Sequence, residues 1–217
     1  MTLDELRALL EVIDAGLPPL AVAMAFQRWC QRFPEVQLRI HTRTAPFLDA
    51  SSDEPPDFIL SFERPTLGDY RIFQLMRTRL ALKASSAYLE RRGAPESVDA
   101  LADHELWVWE GALSRSGGGA SIPLRDGTQL PITPSVAIDD PHNLYVALRH
   151  GMCLGLVPTT PIDLVAAGEV EVLEGALGSE GGLWVAVPEQ NAELAWSRRM
   201  IVELREFFAQ LDPKTPA

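Results

Sequence analysis

Residues 134–158, PSVAIDDPHNLYVALRHGMCLGLVP, constrain the chain more than any other stretch. Asp140 followed by Pro141 marks a helix start. An aspartate at the N-cap accepts from the first free N–H groups, and proline suits the first helical position, whose N–H has no partner anyway. Residues 135–138 just before it are short and mostly apolar, as a strand would be. Leu144, Ala147 and Leu148 recur at helical spacing, and Gly151 fits a C-cap because glycine takes the left-handed conformation without a Cβ penalty. Residues 153–157 then read as a buried strand closed by Pro158. Strand, capped helix and strand in so few residues predict a parallel pair with a right-handed crossover. Such a unit aims a helix N-terminus at a crevice beyond the strand ends.

The 217 residues allow one large domain or two small subdomains with real cores. A net charge of −11, with no basic module in view, argues against this chain gripping a phosphate backbone. Cys30 and Cys153 fall inside apolar patterns and are expected to be buried free thiols. No apolar run approaches a membrane span and the start lacks a basic n-region, so a cytoplasmic location is expected. No Gly-rich phosphate loop, zinc-type Cys/His spacing or nucleophile elbow is present. No catalytic residue, metal or cofactor is therefore assigned. Of the four histidines, His142 follows Asp139 and Asp140 in the first turn of the helix. A pairing of catalytic or metal type is weighed there against a polar residue at a pocket lip, and the second is preferred.

Taken in order, residues 1–16 are ambiguous. Leu3, Leu6, Leu9, Leu10 and Ile13 recur at helical spacing, which favours a helix, while residues 9–13 (LLEVI) could form a strand instead. A helix is expected over 17–33, ended by Pro34, and a half-buried strand over 36–42. Residues 45–56 suggest a short helix and a loop, 57–62 a strand, and 70–76 and 78–84 two strands. Short helices are expected at 85–93 and at 97–104, the latter capped by Ser97, with a strand at 105–109. Residues 111–121 read as a glycine-serine loop, and 122–133 as a hairpin turning at Asp126-Gly127. Beyond the central stretch come a helix at 159–167, strands at 168–173 and 183–187, and a long amphipathic helix at 191–211.

Three segments, in order, resemble one family. Asp139-Asp140 after a strand, an apolar helix and a glycine-rich turn into an L-x-P strand is similar to the effector-binding domain of LysR-type transcriptional regulators. Residues 33–40 (FPEVQLRI) resemble the family's end of the first helix and its second strand. Residues 80–93 (LALKASSAYLERRG) resemble its strand followed by A-S-x-x-Y-L-x-x-x-G. The resemblance runs from about Pro18 to the end. Residues 1–16 also resemble the first helix of the family's winged helix-turn-helix, whose remaining elements do not follow, so that module is expected to be truncated and direct DNA binding is doubtful.

The resemblance implies an α/β fold of two Rossmann-like subdomains with a ligand cleft between them, of the type 2 periplasmic-binding-protein kind. Residues 1–16 would be a remnant N-terminal helix or the first strand. Residues 17–79 plus 188–217 would form subdomain I, and 80–187 subdomain II. By position, the ligand-binding candidates are Gly16, Phe62, Glu63, Arg64, Trp109, Glu110, Asp140, His142 and Asn143. Arg64 is the best candidate for a carboxylate clamp, because a guanidinium pairs bidentately. The partners implied are a small-molecule effector, often a carboxylate in this family, and a second chain, either another copy or a full-length relative. Dimerisation would use residues 20–29 against 143–149 or 161–167. The function expected is an effector-binding sensor regulating transcription. The alternative is a stand-alone small-molecule-binding protein or enzyme on the same architecture.

Overall fold

The computed structural model describes residues 7–13, 19–34, 37–43, 56–62, 64–66, 68–110, 113–116, 119–159, 169–178 and 180–211. They divide into two compact units: 1–77 with 182–217, and 78–181. The candidate residues Gly16 and Glu63, and the helices expected at 45–56 and 159–167, lie wholly or almost wholly outside the described residues.

In the first unit, β1 (Arg7–Ile13) pairs in parallel with β2 (Gln37–Arg43), Leu10 opposite Ile40, and with β3 (Phe58–Ser61), Leu10 opposite Phe58. The helix favoured for residues 1–16 is therefore corrected: 7–13 form a central strand. The helix preference of Leu and Glu over strand formers is a few tenths of a kcal/mol per residue, less than a backbone ladder on both sides supplies. β12 (Glu180–Pro188) runs antiparallel to β3, with Trp184 opposite Ser61. β4 (Tyr70–Ser85) follows β12 in the strand order. Where two strands were expected there is one of 16 residues, since no glycine or proline interrupts it. The unit boundary falls inside β4, at Arg77 and Thr78, and inside β12, at Gly181 and Gly182.

Helix α1 (Pro19–Arg32) buries Ala25, Phe26 and Trp29 and packs on α5 (Ala195–Leu211). Arg32 pairs with Glu203 at 2.6 Å, Arg28 donates to Gln210 at 2.9 Å, and Arg199 lies 5.0 Å over the Phe33 ring. α5 buries Met200, Ile201, Leu204, Phe207 and Phe208, the stripe a 3.6-residue period places on one face. Its Trp196 meets Phe58 edge-on at 5.4 Å, and Arg205 covers Phe73 at 5.3 Å, which fixes the helix against β3 and β4. The single helix expected over 191–211 is broken. α4 (Glu189–Ala192) ends in a turn where Leu194 N–H donates to the Asn191 carbonyl, leaving Leu194 exposed. Cys30 is exposed on α1, against expectation, while Cys153 is buried.

In the second unit, the latter half of β4 is flanked by β11 (Glu169–Val172) and β10 (Leu154–Thr159), both antiparallel to it. β10 pairs in parallel with β5 (Leu106–Trp109), and β5 in parallel with β9 (Val136–Ile138). β9 and β10 are therefore co-directional, as the central stretch implied, but β5 lies between them. A strand contributed from earlier in the chain can insert there because a crossover fixes direction, not adjacency.

α2 (Ser86–Arg92) is capped by Ser85, whose hydroxyl accepts from Tyr88 N–H at 3.2 Å. Buried Tyr88 shares its hydroxyl with His104 Nδ1 and Glu105 N–H, both at 3.1 Å, tying the helix to the entry of β5. The turn after it is a 3-10 helix, Asp99–Asp103, with Ser97 accepting from Ala100 N–H just outside. The loop expected over 111–121 contains β6 (Ser114–Ser116) and the start of β7 (Gly119–Pro123), which pair with each other, and β7 pairs with β8 (Gln129–Ile132). The hairpin turns at Asp126-Gly127, Gly127 taking a φ of 85° that a side chain would resist. α3 (Pro141–Arg149) buries Leu144, Tyr145, Ala147 and Leu148. Leu148 rests on Gly155 of β10, where an added Cβ would come within 2.9 Å of its methyl groups.

Candidate functional site

The parallel strands of each unit end in a set of candidate residues. In the first unit, β3 closes on buried Ser61 and Phe62, so Phe62 contributes to the core beneath the strand end. Arg64 follows and is exposed. Its guanidinium carbon stands 5.7 Å from the centre of the Trp184 ring, a cation–π distance. Trp184 is half-buried and reaches this position because β12 returns beside β3 in register with Ser61. Sequence reasoning took Trp184 only as part of an apolar strand. The signal that could have singled it out is Gly182 just before it, whose bare α-carbon lets the Trp184 indole and the Gln74 side chain pack close above the sheet.

In the second unit, β5 and β9 are parallel, with Trp109 opposite Ile138, so Glu110 and Asp139-Asp140 leave the sheet at the same end. Trp109 is 3% exposed and belongs to the core, whereas Glu110 is exposed. Asp140 adopts extended geometry and caps α3, one carboxylate oxygen accepting from His142 N–H at 2.9 Å and the other from Asn143 Nδ2 at 3.2 Å. Both oxygens are thus engaged by the helix start, and what meets Asp140 is the backbone of His142, not its ring. His142 and Asn143 are exposed on the first turn. Among the described residues, no three His, Cys, Asp or Glu side chains are grouped as a metal site would need.

The perturbed ionisable groups lie elsewhere. Arg79 of β4 binds Glu171 of β11 through two hydrogen bonds of 2.6 Å, and that contact raises its already high pKa against a smaller cost of burial. Hydrogen bonds from the Thr128 hydroxyl and N–H hold the Asp126 carboxyl below its ordinary range in the hairpin turn. Burial, with a smaller contribution from Glu169, pushes the Cys153 thiol up to about 12. The first two clamp strands and a turn, the third is a buried free thiol, and none is among the candidates for ligand contact.

The family pattern of the LysR substrate binding domain matches residues 15–209, nearly the whole chain. The chain belongs to this family. Its fold is the mixed α/β, two-subdomain arrangement of periplasmic-binding-protein type, as the sequence resemblance implied. The regulatory domain of CrgA, a LysR-type transcriptional regulator from Neisseria meningitidis, superposes with a TM-score of 0.74 at 16% identity, over 93% of this chain and 98% of that one. The regulatory domain of the C227S variant of AphB from Vibrio vulnificus gives 0.71 at 14% identity, again over 93% and 98%. The effector domain of AmpR from Pseudomonas aeruginosa gives 0.67 at 16%, over 94% and 95%. No curated protein matches by sequence.

Against full-length AphB from Vibrio cholerae, 92% of this LysR-type chain covers 67% of that chain. The 217 residues thus correspond to a regulator's effector domain, and β1, where a remnant of the DNA-binding helix was considered, is a strand of that domain's own sheet. The structural neighbours are domains of transcriptional regulators. Among the described residues no helix is long and apolar enough to cross a membrane.

Proposed function

We propose that this chain is the sensor part of a LysR-type regulator: it binds a small carboxylate effector in the cytoplasm without turning it over, and works as a dimer. The second chain is another copy or a full-length relative that supplies the contacts to DNA. The observation that carries the reading is Arg64, an exposed guanidinium at the carboxyl end of β3, held over Trp184. Parallel sheets take ligands at that end of their strands, and a guanidinium restrained by an aromatic ring loses less freedom when it pairs with a carboxylate. In the second unit, Glu110, His142 and Asn143, exposed beyond the carboxyl ends of β5 and β9, keep their place as candidates for polar contact with an effector. Gly16 and Glu63 keep their place as candidates from the sequence.

The test is a melting screen with a panel of small mono-, di- and aromatic carboxylates, on the unaltered chain and on Arg64→Ala. A matching effector at a hundred times its Kd stabilises the folded state by about 2.7 kcal/mol, a rise of several degrees. The rise should vanish or fall sharply in Arg64→Ala. A panel that leaves the melting temperature unmoved would count against the carboxylate reading.

A further inference from the structure

The sequence contains a single Asp-Gly pair, Asp126-Gly127, and no Asn-Gly. It lies in the turn between β7 and β8, with both residues exposed. A Cβ built on Gly127 would meet nothing within 4 Å, so no neighbouring group shields the bond. Aspartate followed by glycine is prone to rearrange, because the next nitrogen carries no side chain to hinder its approach to the aspartate carboxyl carbon. Here hydrogen bonds hold both reacting groups. Oδ1 of Asp126 accepts from Thr128 N–H at 2.9 Å and from the Thr128 hydroxyl at 2.6 Å, which favours the ionised carboxylate. Gly127 N–H donates to the Leu124 carbonyl at 3.0 Å, and Leu124 N–H to the Thr128 carbonyl at 2.8 Å. Arg125 N–H donates to the Ala176 carbonyl at 2.9 Å and Gly178 N–H to the Pro123 carbonyl at 3.0 Å, tying the turn to the segment after β11.

We infer that the Asp126-Gly127 bond is a modification site, where isoaspartate forms when the turn opens, and that Thr128 keeps it closed in the folded chain. In the reaction the Gly127 nitrogen bonds to Cγ of Asp126, and the carboxyl hydroxyl leaves with the amide proton as water, giving a cyclic imide. Water then breaks one of the two carbonyl bonds of the imide nitrogen. Cleavage at Cγ restores aspartate, whereas cleavage at the main-chain carbonyl leaves the chain running through the β-carboxyl group. One water leaves and one returns, so nothing is oxidised or reduced. An ionised carboxylate resists the first step, because it has no hydroxyl to lose. Thr128 keeps that group ionised and turned towards itself, while the Leu124 carbonyl engages the hydrogen of the attacking nitrogen. Local opening removes all three restraints at once. The product lengthens the main chain by one carbon inside a tight turn and frees an α-carboxyl, the group an S-adenosylmethionine-dependent isoaspartyl methyltransferase takes. This site is independent of effector binding.

The test ages the whole chain at physiological temperature and neutral pH, folded and in urea, beside Thr128→Val and Thr128→Ser. The peptide carrying Asp126-Gly127 is then followed by its chromatographic retention and by uptake of heavy oxygen from labelled water in mass spectrometry. In the folded, unaltered chain the peptide should remain aspartate, and in urea it should convert several-fold faster. Thr128 is exposed, so Thr128→Val should fold, as an unchanged melting temperature would confirm, yet convert several-fold faster than the unaltered chain. Thr128→Ser keeps the hydroxyl and should stay close to the unaltered rate. Equal conversion in the folded and urea-unfolded chain, a comparison that needs no variant, would overturn the closed turn. No conversion even in urea would overturn the site itself. A folded Thr128→Val that converts no faster than the unaltered chain would remove Thr128 from the role assigned to it.

Discussion

At the scale of single residues the two cysteines behave oppositely. Both stood in apolar patterns, yet Cys30 is exposed on α1 and only Cys153 is buried. A helix presents several directions and a short pattern does not say which one faces the core, whereas the strand Leu154–Thr159 next to Cys153 is almost entirely buried. Burial, aided by Glu169, pushes the Cys153 thiol up to about 12 from an ordinary value of 9.0. The neutral thiol is favoured in the fold, so its contribution to stability is complete below about pH 9. That contribution is lost as the pH rises towards 12, because the unfolded thiol ionises first. At pH 8 a thiol reagent should therefore modify Cys30 rapidly and Cys153 only after denaturant is added, which a count of labelled sulfurs by mass spectrometry checks. Rapid labelling of both in the native protein would contradict the burial of Cys153. Arg64 and Trp184 illustrate the same limit: neither has a motif, and they meet only because β12 returns beside β3.

At the scale of elements, the most legible part was the helix after Asp140. Its cap, its proline and its apolar stripe all fell where the residues placed them, because capping is a local contact between neighbours in the chain. Replacing Asp140 with alanine strands the N–H of His142 and the Asn143 amide. The change should cost about 1 kcal/mol in urea-induced unfolding, with Asp140→Asn recovering most of it. An unchanged midpoint for the alanine variant would mean that the cap contributes nothing to stability. Elements whose identity depends on partners far along the chain were less legible. β1 carries a helical period yet is a strand, because β2 and β3 complete its ladders on either side. β6 and the start of β7 hide in a glycine-serine run because their pairing satisfies backbone groups whatever the side chains. The clamp of Arg79 on Glu171 joins residues 92 positions apart and has no local signature.

At the scale of the whole molecule, light scattering should give twice the mass of the chain. The surfaces proposed are residues 20–29 against 143–149 or 161–167. Mobility-shift titration on the DNA upstream of its own gene should give no tight complex at physiological salt, as a net charge of −11 implies. A monomer would remove the proposed pairing, and a salt-sensitive, competitor-resistant DNA complex would require a DNA-reading surface in these residues. By itself the sequence determined the α/β class, the family and the capped helix of the central stretch, because alternation, helical period and caps are written in residues a few positions apart. The position of β5 between β9 and β10, the strand identity of residues 7–13 and the meeting of Arg64 with Trp184 were decided only by tertiary structure. Each depends on which distant strand lies alongside, and that follows from the packing of the whole sheet, not from any local preference.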